Sequence, residues 1–175
     1  MPGDLPPHST SLPGSRPVDE GEIRVRAAGP SDAYALWLWA NDPETRGGSF
    51  AGAEIRWADH VQWLTARLTD DSSVILVGED DSRPIGLVRF DTKDGWRTAR
   101  LSYVVAPEAR GQGWGTPLVQ RGLTHLIGLH SEVAVWAEVK PTNERSLRVF
   151  RGLGWTEETA GDVTTFRRGR AGGAR

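Results

Sequence analysis

The run Arg110-Gly111-Gln112-Gly113-Trp114-Gly115-Thr116 is the part of this sequence best equipped to do chemistry. Alternating glycines let a backbone turn sharply, so that successive N–H groups converge on one concavity beside a helix N-terminus. That geometry binds a pyrophosphate. The run follows Val104-Val105-Ala106-Pro107, a strand ended by a proline. Its context separates it from other glycine-rich loops. A dinucleotide fingerprint follows the first strand of a parallel βαβ unit, and a P-loop needs Gly-Lys-Ser/Thr, which is absent here. In this chain the loop follows the third strand of an antiparallel meander.

Two further residues have chemical potential. Glu138 is the one acid on the apolar strand Val133-Ala134-Val135-Trp136-Ala137. A carboxylate there can orient a cationic group or accept a proton through a water. Alternation sets Glu138 on the face opposite Ala137, which equally suits an ion pair to a helix arginine. Asn143 opens a helix, where it can cap the first turn or face a ligand. Cysteine is absent, which excludes a disulfide framework, thiolate metal sites and a covalent cysteine nucleophile. The four histidines do not fall in a zinc-like spacing with carboxylates, so no metal is expected, and His60 reads as structural.

These residues need a scaffold, and the periodicity supplies one. Ile23 to Arg26 alternates as a first strand, and Pro30-Ser31-Asp32 caps a helix through AYALWLWAN. Asp42-Pro43 reads as a turn ending that helix, and Gly47-Gly48 as a break. Ile55, Ala58, Val61, Leu64 and Leu68 then form one apolar stripe. The period changes to two through residues 73–77, 85–90 and 96–105, joined by short turns as a meander. A helix over 116–127, a strand over 133–139, a helix over 143–151 and a closing hairpin over 155–166 follow. This order predicts an α/β (mixed α+β) domain with a mixed, mostly antiparallel sheet and helices on both faces.

Length, at 175 residues, suits one domain. Residues 1–21 are rich in Pro, Gly and Ser and read as a disordered tail, 22–166 as the domain, and 167–175 as a flexible C-terminal tail. A net charge of -2 gives no reason to expect nucleic acid or an anionic membrane as partner. Neither a membrane span nor a signal architecture is visible, which predicts a cytoplasmic protein. Eight tryptophans leave room for an aromatic interface, and hence a homodimer.

On these motifs the sequence resembles the GCN5-related N-acetyltransferase (GNAT) superfamily. The signature Arg/Gln-x-x-Gly-x-Gly/Ala stands as Arg110 to Gly115, and Asn143 to Trp155 matches the helix that leads to a Gly-aromatic pair. The resemblance implies acetyl-CoA as cosubstrate, no metal, and a splay between the fourth and fifth strands. There pantetheine pairs with Val104 and Ala106, and the Val105 N–H receives the thioester oxygen. It implies pyrophosphate contacts from Arg110 and the amides of Gly111, Gln112, Gly113, Trp114, Gly115 and Thr116. Asn143, Ser146 and Phe150 come to the pantetheine or sulfur side.

Phe150 departs from the family pattern, since many members carry there a tyrosine that protonates the leaving thiolate. That role passes to water, to Ser146 or to nothing, with Tyr103 either a substitute or a core aromatic. On the acceptor side, residues 39–50 with Ile55, His60 and Trp63, and Ala137 to Val139 with Asn143, Ser146 and Phe150, resemble the branch that acetylates nucleotide-linked amino sugars. Asn41, Arg46, Ser49, Tyr103 and Glu138 are the acceptor-binding candidates, and Glu138 and Ser146 the catalytic ones. The expectation is direct acetyl transfer to a small primary amine. Alternatives are an antibiotic- or toxin-modifying enzyme, a protein N-terminal acetyltransferase, or an inactive CoA-binding sensor.

Overall fold

A computed structural model describes residues 23–169. The expected N-terminal tail and most of the C-terminal one lie outside the described residues. The chain runs β1 (Ile23–Ala27), a single 3-10 turn (Pro30–Asp32), α1 (Ala33–Asn41), α2 (Pro43–Gly48), α3 (Trp57–Leu68), β2 (Ser73–Asp80), β3 (Arg83–Asp91) and β4 (Thr98–Val105). A second 3-10 turn (Pro107–Ala109), α4 (Gly115–Leu129), β5 (Ala134–Val139), α5 (Glu144–Gly152), β6 (Thr156–Ala160) and β7 (Val163–Arg168) complete it. The closing strand therefore takes in Arg167 and Arg168, two residues past the expected end of the domain.

Among the described residues one seven-stranded sheet runs β1-β2-β3-β4-β5-β7-β6. β4 and β5 are parallel, and the other neighbouring pairs are antiparallel. Alternation divides its side chains into two sets. Leu76, Val88, Phe90, Leu101 and Val135 face α4 and α5 and are fully buried. Ile75, Leu87, Arg89, Ser102 and Glu138 fall on the face covered in part by α1 and α3.

α4 presses hard on the first face. A Cβ added at Gly122 would lie 2.4 Å from Val88 Cγ1, and one at Gly78 would lie 2.4 Å from Leu118 Cδ1. The two glycines let helix and sheet approach more closely than any side chain permits.

Two local readings are corrected. Asp42-Pro43 does end α1, but it also starts α2: the Asp42 carboxylate accepts from the Thr45 N–H at 3.0 Å, and Pro43 occupies the first helical position. An acceptor at the N-cap with proline after it is a helix start, and six residues are too few for a hydrophobic period to reveal it. In α3 the inward stripe is His60 and Leu64, while Ala58 is exposed and Ile55 precedes the helix. His60 is enclosed among Trp57 and Trp63, and burial depresses its pKa.

Candidate active site

The centre of the site is a fork in the sheet. β4 and β5 pair only from Thr98–Ala134 to Arg100–Trp136. Beyond that point β4 stays with β3 as far as Val105–Gly86, and β5 stays with β7 as far as Val139–Thr164. The strands part, and a cleft opens with a backbone edge on each side.

Hydrogen-bond parity decides which groups face the cleft. The Ala106 N–H donates to the Ile85 carbonyl at 2.8 Å, and the Ala106 carbonyl accepts from the Ala109 N–H at 2.9 Å. In an antiparallel ladder the bonded pairs recur every second residue, so Val104 also directs its N–H and C=O at β3. The expectation that Val104 and Ala106 offer backbone groups to pantetheine is therefore corrected. Tyr103 and Val105 are the residues whose backbone edges face the cleft, and Val105 stands at its mouth.

The glycine loop begins just past that mouth. Gly111 and Gly113 have φ of 76° and 87°, left-handed values that a side chain rarely tolerates. Gly115 serves another end, since a Cβ there would come within 3.0 Å of Val149 Cγ2 on α5. The Trp114 ring is buried and its Nε1 donates to Gln112 Oε1, while Gln112 Nε2 donates to the Glu108 carbonyl. This bracing holds the amides of Gly111 to Thr116 around the N-terminus of α4, whose first-turn N–H groups lack helical partners. The curve is one that a pyrophosphate fits.

Within the protein, Arg110 is held by the start of α2. Its Nη2 donates to Asp42 Oδ2 at 2.6 Å and to Thr45 Oγ1 at 2.8 Å, with Glu44 at 3.4 Å. The guanidinium thus ties the glycine loop to the start of α2, and it holds the Asp42 carboxyl below the usual carboxylate range. Glu44 in turn pairs with Arg145 on α5, and Lys140 Nζ donates to the Gly47 carbonyl at 2.9 Å. Sequence reasoning missed α2 as the element that bridges the cleft's two rims. Asp42 as an N-cap was the signal that could have found it.

On the α4/α5 side, the Tyr103 hydroxyl donates to Ser146 Oγ at 3.1 Å. Burial pushes the Tyr103 phenol up, opposed in part by the bond to Ser146, so it stays protonated at neutral pH. Phe150 is fully buried and packs edge-on to Tyr103 at 5.9 Å between centroids, with Phe166 stacked on its far side. Asn143 caps α5 by accepting from the Ser146 N–H at 3.2 Å.

On the α1/α3 side, Glu138 Oε2 lies 3.2 Å from Arg100 Nη2. The partner is a strand arginine and not a helix one, because the parallel register sets Arg100 beside Trp136 on the same face. Of the residues expected to touch the acceptor, Asn41 and Arg46 have internal roles. Asn41 Oδ1 and Nδ2 both bond the Ile55 backbone, at 2.8 and 2.9 Å. Arg46 Nη1 donates to the carbonyls of Ala51 and Ala53, and Ser49 Oγ accepts from the Ala51 N–H. They shape the loop between α2 and α3. Tyr34, Trp37 and Trp57 beyond it form a partly exposed aromatic group.

Among the described residues no three His, Cys, Asp or Glu side chains group as a metal site, and no helix is long and apolar enough to cross a membrane.

Comparison with known proteins bears on this arrangement. The chain is similar to an L-2,4-diaminobutyric acid acetyltransferase of Nocardia farcinica, 26% identical over 183 residues that cover 89% of this chain and 86% of that protein. In fold it is similar to spermidine N-acetyltransferase from Vibrio cholerae in complex with CoA and spermine, with a TM-score of 0.74 and 19% identity over 84% of this chain and 94% of that one. An N-acetyltransferase from Staphylococcus aureus Mu50 superposes with a TM-score of 0.70 and 18% identity, over 84% and 98%. The sequence profile of the acetyltransferase (GNAT) domain matches residues 22–156. The chain belongs to the GNAT family, as an N-acetyltransferase whose acetyl donor is acetyl-CoA.

Proposed function

We propose that the protein moves the acetyl group of acetyl-CoA directly onto a primary amine of a small molecule, the two substrates meeting across the fork between β4 and β5. The observation that carries this reading is the parting of those strands after Arg100, with the backbone of Tyr103 and Val105 turned into the gap and the glycine loop at its mouth. Pantetheine enters as an added strand against that edge, and the loop amides take the pyrophosphate.

The amine approaches from the α1/α3 side, where Glu138 orients it and takes its proton through a water. As the nitrogen bonds to the thioester carbon, negative charge grows on the carbonyl oxygen and the Val105 N–H receives it. When the C–S bond breaks, the thiolate takes a proton from Ser146 Oγ, which the Tyr103 hydroxyl replaces, and Tyr103 regains a proton from solvent as CoA leaves. This relay does the work that Phe150 cannot. Absence of cysteine supports attack within a ternary complex, without an acetyl-enzyme.

The finer acceptor class has three supports of different strength. A diamino acid is named by the Nocardia farcinica relative, and a polyamine by the Vibrio cholerae structure. An amino sugar rested on Asn41, Arg46 and Ser49 as free hydrogen-bonders, and their internal bonds weaken that support.

The test is release of CoA thiol from acetyl-CoA with a panel of diamino acids, polyamines, amino sugars, aminoglycosides and N-terminal peptides. Amine-dependent release is expected and excludes an inactive sensor. Thiol release with none of them, in a protein that binds acetyl-CoA, overturns the reading.

A further inference from the structure

We propose that Arg89 and Arg100, with Ser102 between them, form a carboxylate subsite on the α1/α3 face, so that the acceptor is an amine that also carries a carboxylate. The inference rests on the acetyl-transfer reading above and names the substrate class of that same site.

The register places the parts. Arg89 on β3 is directly opposite Ser102 on β4, and Arg100 lies two residues before Ser102 on the same face. Glu138 stands on β5 across the opening fork, also on this face and within 3.2 Å of Arg100. Arginine, hydroxyl and carboxylate thus form a row that crosses the sheet where the cleft begins, three residues along β4 from Val105. A zwitterion is complementary to such a row. Its carboxylate meets the arginine end, while the amine to be acetylated lies at the Glu138 end, on the way to Val105.

Among the described residues Arg89 is held by one acid and one ring. Its guanidinium lies over the Trp63 ring at 5.2 Å, and its Nε comes within 2.9 Å of Asp91 Oδ2 as an ion pair. Among the described residues that buried Nε has no well-aligned hydrogen-bond partner besides this ion pair. Asp91 is shared, because it also accepts from Ser73 Oγ at 3.0 Å. Burial opposes the charge on Arg89, and repulsion from Arg67 and Arg100 adds to it, with Asp91 acting the other way. Gathering arginines at a partly buried sheet face costs free energy that a bridging carboxylate would return, and a guanidinium fork matches a carboxylate in two parallel bonds. Trp63 closes one flank and holds the fork's plane.

The experiment compares each diamino acid with its decarboxylated counterpart, such as 2,4-diaminobutyrate with 1,3-diaminopropane, in the wild type, Arg89→Gln and Arg100→Gln. The wild type is expected to favour the carboxylate-bearing amine in kcat/KM by ~10-fold or more, the size of a charge-assisted contact. Arg89→Gln should collapse that ratio towards one, chiefly through KM for the diamino acid, with acetyl-CoA affinity held. Arg100, more exposed, gives a second variant should Arg89→Gln fail to fold, and the wild-type ratio decides independently of either. A wild type that acetylates amines without preferring the carboxylate, or a variant that folds and keeps the full ratio, overturns the subsite and leaves acetyl transfer standing. Failure to acetylate any amine in the panel overturns the acetyl-transfer reading instead.

Discussion

The Tyr103 hydroxyl on β4 donates to Ser146 Oγ on α5 at 3.1 Å, against a helix position where Phe150 has no proton to give. If these two hydroxyls relay a proton to the leaving thiolate, Tyr103→Phe and Ser146→Ala should each lower kcat by about 10²-fold, the scale of general acid catalysis. Acetyl-CoA affinity should hold in both. The double variant should be hardly slower than either single one, because the residues act as a unit. Because burial raises the Tyr103 phenol, kcat should show no loss from its ionisation below about pH 10. Additive losses in single-turnover rates would separate the two residues.

Gly113→Asp puts a Cβ and a carboxylate into a loop position at φ 87°. Binding of acetyl-CoA should be lost while the fold survives, so the ligand-induced rise in Tm seen for the wild type should vanish. Calorimetric titration of the folded variant checks it. An unchanged Kd would move the pyrophosphate elsewhere.

Glu138 meets Arg100 at a half-exposed site, so the pair itself contributes little stability, ~1 kcal/mol or less. Glu138→Gln should accordingly leave Tm almost unchanged while lowering kcat/KM for the acceptor. That deficit should shrink as pH rises towards the amine's own pKa, because free amine then needs no base. Parallel pH profiles in the two proteins would remove Glu138 from proton transfer.

Gly122→Val should be destabilising by about 1–3 kcal/mol, from overpacking against a fully buried Val88 only 2.4 Å from the new Cβ. A lower urea midpoint at unchanged slope is the expected reading.

Acid should weaken the fold through three carboxylates held below their ordinary range. Bonds from Arg26 lower Asp32, the bond from Arg110 lowers Asp42, and bonds from the Thr98 backbone and hydroxyl bring Asp94 to about 2. Since the folded pKa is the depressed one, their contribution is complete above the unfolded value near ~4 and is lost as pH falls from there towards ~2. Tm against pH should bend downward in that window, and Asp94→Asn should flatten the bend.

Much of this protein was legible in the sequence. Period-two runs located β2, β3 and β4, the glycines at 111 and 113 announced sharp turns, and the match from Asn143 to Trp155 located α5. Those features are local: each depends on what a residue type does to its own backbone or to neighbours a turn away. α2 was hidden because six residues carry no period, and its start depends on an Asp42 cap that also reads as a turn.

The partners of the charged groups were decided only by tertiary structure. Arg110 to Asp42 spans 68 residues and Arg100 to Glu138 joins two strands through a parallel register, which no spacing in the chain encodes. The same holds for backbone availability. Val104 and Ala106 look no different from Tyr103 and Val105 along the sequence. Which pair faces the cleft follows from the parity of pairing with β3, and a shift of one residue would exchange them.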